Sequence, residues 1–148
     1  MIALGSDHGG FELKKEIIRY LEKNGYEYKD FGCYTEDATD YPVYAKLVGR
    51  AVASGECEKG ILTCGTGIGI AIAANRISGI RAAVCTDCFT AQATREHNDA
   101  NVLALGGRVV GVGLALKITE TFLTTEFSEG ERHIRRIRQI EDRQGGEA

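Results

Sequence analysis

A cysteine followed by three alternating glycines, Cys64-Gly65-Thr66-Gly67-Ile68-Gly69, is the segment richest in chemical possibility. Glycines allow close approach of the backbone, and the first amides of a helix are unsatisfied donors that suit an oxyanion or a phosphate. The same donors stabilise a thiolate, so one turn could make Cys64 an unusually acidic thiol that serves as a base and could hold the charge it creates. The alternative is a tight strand-to-helix turn with a small buried cysteine; the glycine spacing tips the balance toward function. No Lys-Ser/Thr pair follows, which argues against a nucleoside triphosphate loop, and Ile70 interrupts a dinucleotide fingerprint.

Gly5-Ser6-Asp7-His8-Gly9-Gly10 places a carboxylate and an imidazole where a strand gives way to a helix. Taken alone, Asp7 reads as a cap and His8 as a surface residue; beside the Cys64 turn, both gain a place in a crevice. Asp30, roughly twenty residues on, keeps a nucleotide-binding alternative open. His97-Asn98 ends a helical pattern, where a histidine is either a partner of the helix dipole or a general acid/base. Arg132 and Arg136 stand four apart and share a helix face, a natural clamp for one phosphate, whereas Arg135 and Arg138 read as solvated. Arg108, after Gly106-Gly107, adds a further positive charge. Cys85-Thr86-Asp87-Cys88 has redox or half-zinc spacing, but no second such pair exists and a structural role is expected.

These residues need a scaffold, and the hydrophobic pattern supplies one. Strands are expected at IALGS (2–6), YEYKDF (26–31), GILTC (60–64), RAAVC (81–85) and VLALG (102–106). Helices fall between them: one from Phe11 to a stop at Asn24-Gly25, one from Pro42 to Ser54-Gly55, one through IAIAAN, one over 87–97, then VGLALKITETFL and a last arginine-rich helix. Mostly apolar strands alternating with helices predict a parallel sheet covered on both faces, with right-handed crossovers and ligands at the carboxyl ends of the strands. The polar tail QGGEA is expected to fray.

Length and composition narrow the classes. At 148 residues, 43% hydrophobic and 26% charged, the chain suits one soluble α/β domain over 1–148. A net charge of -3 gives no pull toward nucleic acid or an anionic membrane, and no apolar run reaches the roughly 18 residues of a membrane helix. The opening MIALGSDHGG lacks a secretory pattern, and the five cysteines (Cys33, Cys57, Cys64, Cys85, Cys88) are odd in number, so reduced thiols and a cytoplasmic location are expected.

Taken together, GSDHGGFELK, the TDYP turn, ILTCGTGIGIAIAANR, HNDANVLALGGRVVG and ERHIRR resemble, in order and over nearly the whole chain, the type B ribose-5-phosphate isomerase family, whose wider membership includes galactose-6-phosphate isomerase subunits. The resemblance implies a three-layer, Rossmann/flavodoxin-like sandwich with a C-terminal helix. It further implies no cofactor or metal, a small sugar phosphate as substrate, and a homodimer, or a tetramer, with shared active sites. His97 and the arginine clamp would come from different subunits. Carried over by position, Cys64 is the base and His97 opens the sugar ring, while Asp7, His8 and Asn98 contact sugar oxygens and Tyr41 lines the site. The amides of Gly65, Thr66, Gly67, Ile68 and Gly69 hold an enediolate, assisted by the Thr66 side chain. Arg132 and Arg136, with Arg108 and His133, bind phosphate. One branch of the family uses a carboxylate as base, but Gly67 to Ala71 contains none, which favours Cys64. Ribose 5-phosphate is the expected substrate, with six-carbon sugar phosphates and rare aldoses as alternatives. The rivals are a flavin- or nucleotide-binding module of flavodoxin type and a thiol-redox protein built on Cys85 and Cys88.

Overall fold

The computed structural model describes residues 1–142, so the QGGEA tail lies outside the described residues. The elements run β1 (Ile2–Ser6), α1 (Phe11–Lys23), β2 (Tyr28–Asp30), α2 (Tyr41–Ala53), β3 (Lys59–Cys64), α3 (Ile68–Ala74), β4 (Ala82–Val84), α4 (Cys88–Asn98), β5 (Val102–Gly106), α5 (Val112–Thr124) and α6 (Glu131–Glu141). A short 3₁₀ turn at His8–Gly10, not foreseen from the sequence, joins β1 to α1.

All strand pairs are parallel, in the order β2-β1-β3-β5-β4. The 2-1-3 half is that of a flavodoxin-type sheet, while β5 inserts between β3 and β4, the reverse of the flavodoxin order. The central strands β1, β3 and β5 are buried at every position, which is why they read as unbroken apolar runs, and the edge strands β2 and β4 are only partly covered. From β1 the chain winds outward to β2 and then crosses to β3, so the order reverses between β1 and β3.

Two cores flank the sheet. On one side Leu13, Ile17 and Leu21 of α1 meet Ala115, Ile118 and Phe122 of α5 and Ala91 of α4. On the other, Ala45, Val48 and Val52 of α2 meet Ile70, Ala71 and Ala74 of α3. Both sets recur at helical spacing, so each helix has one face for the sheet. α1 ends at Asn24, and Gly25 takes the left-handed conformation (φ 74°) that closes a helix.

Candidate active site

Three loops meet at the carboxyl edge of the sheet, after β1, β3 and β5. They are packed so tightly that side chains are excluded at the contacts: a Cβ on Gly10 would stand 2.3 Å from the Thr63 carbonyl carbon. The loops are also hydrogen-bonded together. The Asp7 amide donates to the Thr63 carbonyl (3.2 Å), the Thr63 hydroxyl to the Gly10 carbonyl (2.8 Å), and the Gly107 and Arg108 amides to the Cys64 and Gly65 carbonyls (2.8 and 3.0 Å). This is the reversal point where ligands of open α/β sheets bind.

Cys64 is buried at the end of β3, and the Gly67 amide donates to its Sγ at 3.1 Å. Gly67 can turn this amide back because its φ is 79°, and a Cβ there would stand 2.9 Å from the Leu105 carbonyl carbon. The Ile68 amide is taken by Thr66 Oγ1 at 3.2 Å. Of the five amides from 65 to 69, those of Gly65, Thr66 and Gly69 therefore remain without an acceptor among the described residues. The Tyr41 ring lies over Gly69 and the Arg108 guanidinium over Gly65, each within about 3 Å of where a Cβ would sit. Asp7 caps the 3₁₀ turn, its Oδ1 accepting from the Gly10 amide at 3.1 Å. His8 is exposed, and its Nδ1 accepts from the Thr39 amide at 3.2 Å, which leaves Nε2 to carry the proton outward in the neutral ring.

The remaining predicted residues lie elsewhere. His97 and Asn98 end α4 beside the start of β4, where Arg81 Nε donates to the Asn98 carbonyl at 2.9 Å. That is the amino edge of the sheet, separated from Cys64 by the length of a strand, about 16 Å for five residues. α6 joins this second group: the His133 ring stacks on His97 with centroids 4.5 Å apart and planes 11° from parallel. Arg132 and Arg136 are exposed beside them. The group is held by Arg95, buried under the end of α4, whose guanidinium donates to the Asp99 carboxylate and to the Ala100 and Thr125 carbonyls, and by Ser128, whose amide and hydroxyl both donate to the Glu96 carbonyl. Burial, together with the like charges of His97, Arg132 and Arg136, pushes the His133 imidazole below its ordinary range. The expectation that His97 and the arginine clamp come from different subunits needs correcting, because one chain already stacks His97 on His133 next to Arg132. Within one chain the Cys64 loops and the His97 group stand apart, at opposite edges of the sheet.

Two supporting features escaped the sequence reading. Lys14 is 1% exposed, and its ammonium donates to both oxygens of Asp30 (2.7 and 2.9 Å) and to the Cys33 carbonyl (2.6 Å), anchoring the root of the 31–40 loop that delivers Thr39 to His8 and leads to Tyr41. The signal was there: Lys14 occupies the apolar face of α1 beside Leu13, Ile17 and Leu21. Thr39 left no signal, since its contribution is a backbone amide. Cys85 and Cys88 are free thiols, and among the described residues no three His, Cys, Asp or Glu side chains gather as metal ligands. No helix among those residues is long and apolar enough to cross a membrane.

A family model described as Ribose/Galactose Isomerase matches residues 2–140. The chain is 52% identical over 139 residues to ribose-5-phosphate isomerase B of Escherichia coli, covering 94% of this chain and 93% of the relative. A solved ribose-5-phosphate isomerase B from Clostridium thermocellum superposes with a TM-score of 0.94 at 55% identity, covering 95% of each chain. One from Thermotoga maritima gives 0.93 at 51%, covering 95% of this chain and 97% of its own. A fold with its loops converging on a thiol, and relatives matched along almost their whole length, lead to one conclusion: the chain belongs to the ribose/galactose isomerase family and is an aldose–ketose isomerase.

Proposed function

We propose that the chain interconverts ribose 5-phosphate and ribulose 5-phosphate in a site shared by two copies, with Cys64 as the base and His97 opening the sugar ring. The observation that carries this is the Gly67 amide pointed at Cys64 Sγ, with unengaged amides beside it. A thiolate accepts such a donor far more strongly than a thiol does, so the turn favours the form that removes a proton. The thiolate takes the proton from C2 of the open-chain aldose and returns it to C1, and the electron pair passes through an enediolate. The amides of Gly65, Thr66 and Gly69 suit the enediolate oxygens, and the Thr66 hydroxyl, whose oxygen already accepts from Ile68, retains its proton to donate. Asp7, His8 and Asn98 meet sugar hydroxyls, Tyr41 closes the wall over Gly69, and Arg132 and Arg136, with Arg108, take the phosphate.

A second copy is needed because no small sugar phosphate spans the distance between the Cys64 loops and the His97 group of one chain. The outer face of the α2/α3 layer fits such a pairing: Tyr41, Val43, Leu47, Ile68 and Ile72 are exposed there next to the Cys64 turn. In a two-fold dimer each copy lends the His97 group to the other's thiol. The free thiols suit a reducing, cytoplasmic setting.

Heavy water separates the two roles. Ribulose 5-phosphate cannot close a furanose through its phosphorylated O5, so it needs no ring opening. His97→Asn should still exchange the C1 proton of ribulose 5-phosphate while converting ribose 5-phosphate very slowly, and Cys64→Ala should lose both activities. Normal exchange by folded Cys64→Ala would eliminate the thiol as base. A panel of five- and six-carbon sugars with and without phosphate tests the substrate, and faster turnover of a six-carbon phosphate or a free aldose would replace ribose 5-phosphate in this account.

A further inference from the structure

His133 is set apart from the arginines around it by what its ring touches. Its Nε2 accepts from Arg132 Nε at 3.3 Å, and its face lies on His97. The residue is 7% exposed, and Gly130 makes room for its ring: a Cβ there would stand 3.1 Å from His133 Cδ2. An imidazole nitrogen that accepts from a guanidinium carries no proton, so this ring is neutral, with its hydrogen on Nδ1. The same nitrogen cannot also donate to a phosphate oxygen.

We propose that His133 is a positioning residue whose Nε2 serves Arg132 and not the phosphate: one neutral ring fixes the Arg132 guanidinium with its Nε2 lone pair and the His97 imidazole with its face. The proposal rests on the assignment of His97 and Arg132 to the sugar phosphate. Its physical logic is that the Arg132 side chain, otherwise free to sample many rotamers, meets the phosphate already restrained, which lowers the ordering cost of binding. The groups around the ring favour the neutral state. His97 on α4 and Arg132 and Arg136 on α6 all oppose a proton on His133, and among the described residues Glu131 is the one acid that lines the same hollow. A second proton on the stacked pair would put like charges face to face and break the bond to Arg132.

Histidine NMR decides the matter, and with only three histidines in the chain, His8, His97 and His133, assignment is direct. In the free protein His133 should show the Nδ1–H tautomer and titrate below the ordinary imidazole range, and in His97→Asn its titration should move up because a like charge has gone. Inorganic phosphate should leave the His133 tautomer unchanged. A ring that met phosphate through Nε2 would behave in the opposite way, with Nε2 protonated and its titration raised on adding phosphate, and either result overturns the proposal. These readouts need no turnover, so they stand apart from any failure of the isomerase assignment. Kinetics adds a second arm: His133→Phe keeps the stack and removes the acceptor, and should raise the KM for phosphorylated substrate about fivefold, the loss expected for one hydrogen bond, with kcat little changed. His133→Gln, which retains an acceptor, should restore much of that KM. Equal losses in kcat and KM for both variants would mark a merely structural ring.

Discussion

Cys64 and Cys85 stand at similar places in the sheet and in different surroundings. Cys64 is the last residue of β3 and Cys85 the first after β4, each precedes a helix, and each is almost completely buried. Cys64 receives the Gly67 amide on its sulfur at 3.1 Å. Cys85 Sγ donates to the Ala83 carbonyl at 4.0 Å, and burial pushes its thiol up to about 11, with a hydrogen bond with Thr90 opposing the rise and the Asp87 charge adding to it. Beyond burial, the two sites differ in the cap of the following helix. Asp87 caps α4 with its own carboxylate, which takes the Thr90 amide at 2.7 Å and places a negative charge near the thiol. Gly67 caps α3 with no carboxylate to set beside the thiol, and its φ of 79° turns its own amide back onto the sulfur. A strand end next to a helix is therefore not enough to give two cysteines the same surroundings; the residue that caps the helix decides whether a donor or a carboxylate faces the sulfur.

The largest expected effect is on turnover. Cys64→Ala should lower kcat by about 10²- to 10⁴-fold, the span expected for a lost general base, whereas Cys85→Ala should leave kcat within about threefold and cost roughly 1 kcal/mol of stability by removing a buried atom. Steady-state kinetics and denaturant melts of the two variants check both halves, and a comparable loss of turnover in Cys85→Ala would erase the contrast.

Next is the turn itself. Gly67→Ala must adopt a φ of 79° and meet the Leu105 backbone. It should destabilise by about 1–2 kcal/mol and, by moving the amide off the sulfur, cost about 10²-fold in kcat. Alkylation of Cys64 by iodoacetamide should slow in parallel. Unchanged alkylation would show that the amide does not activate the thiol.

The smallest effect is in stability at high pH. Folded Cys85 keeps its proton up to about 11, while in the unfolded chain a thiol releases it near 8.5–9. The unfolded state therefore binds fewer protons in this interval, and stability should fall as pH rises from about 9 toward 11. Cys85→Ala should flatten that fall, although Cys57, also raised by burial, leaves a residual slope. An unaltered slope in pH-dependent melts would contradict the protonated, inert state assigned to Cys85.

Much of the fold was legible in the sequence, for a physical reason. β1, β3 and β5 are central strands buried on both faces, so their apolar runs match the structure closely, and β1 and β5 match to the residue. β2 and β4 are edge strands, shorter than their apolar segments suggested because only one neighbour pairs with them. The position of β5 between β3 and β4 could not be read, since strand order depends on packing between distant elements. The site shows the same contrast. The Cys64 turn is local, and its glycines announced it. The stack of His97 on His133, 36 positions apart, and the bond from Thr39 to His8 arise only when separate elements dock, and no spacing within one segment encodes them.

The central claim is that one active site joins the Cys64 loops of one copy to the His97 group of another, and mixing two disabled variants tests it most directly. Cys64→Ala and His97→Asn, each severely impaired on ribose 5-phosphate alone, should be unfolded together, refolded and assayed with that substrate. Half of randomly paired dimers are mixed, and each mixed dimer holds one site with both groups intact, so activity should return to about a quarter of the unaltered protein's. A mixture no more active than its separate components, in protein shown to have exchanged subunits, would contradict the shared site.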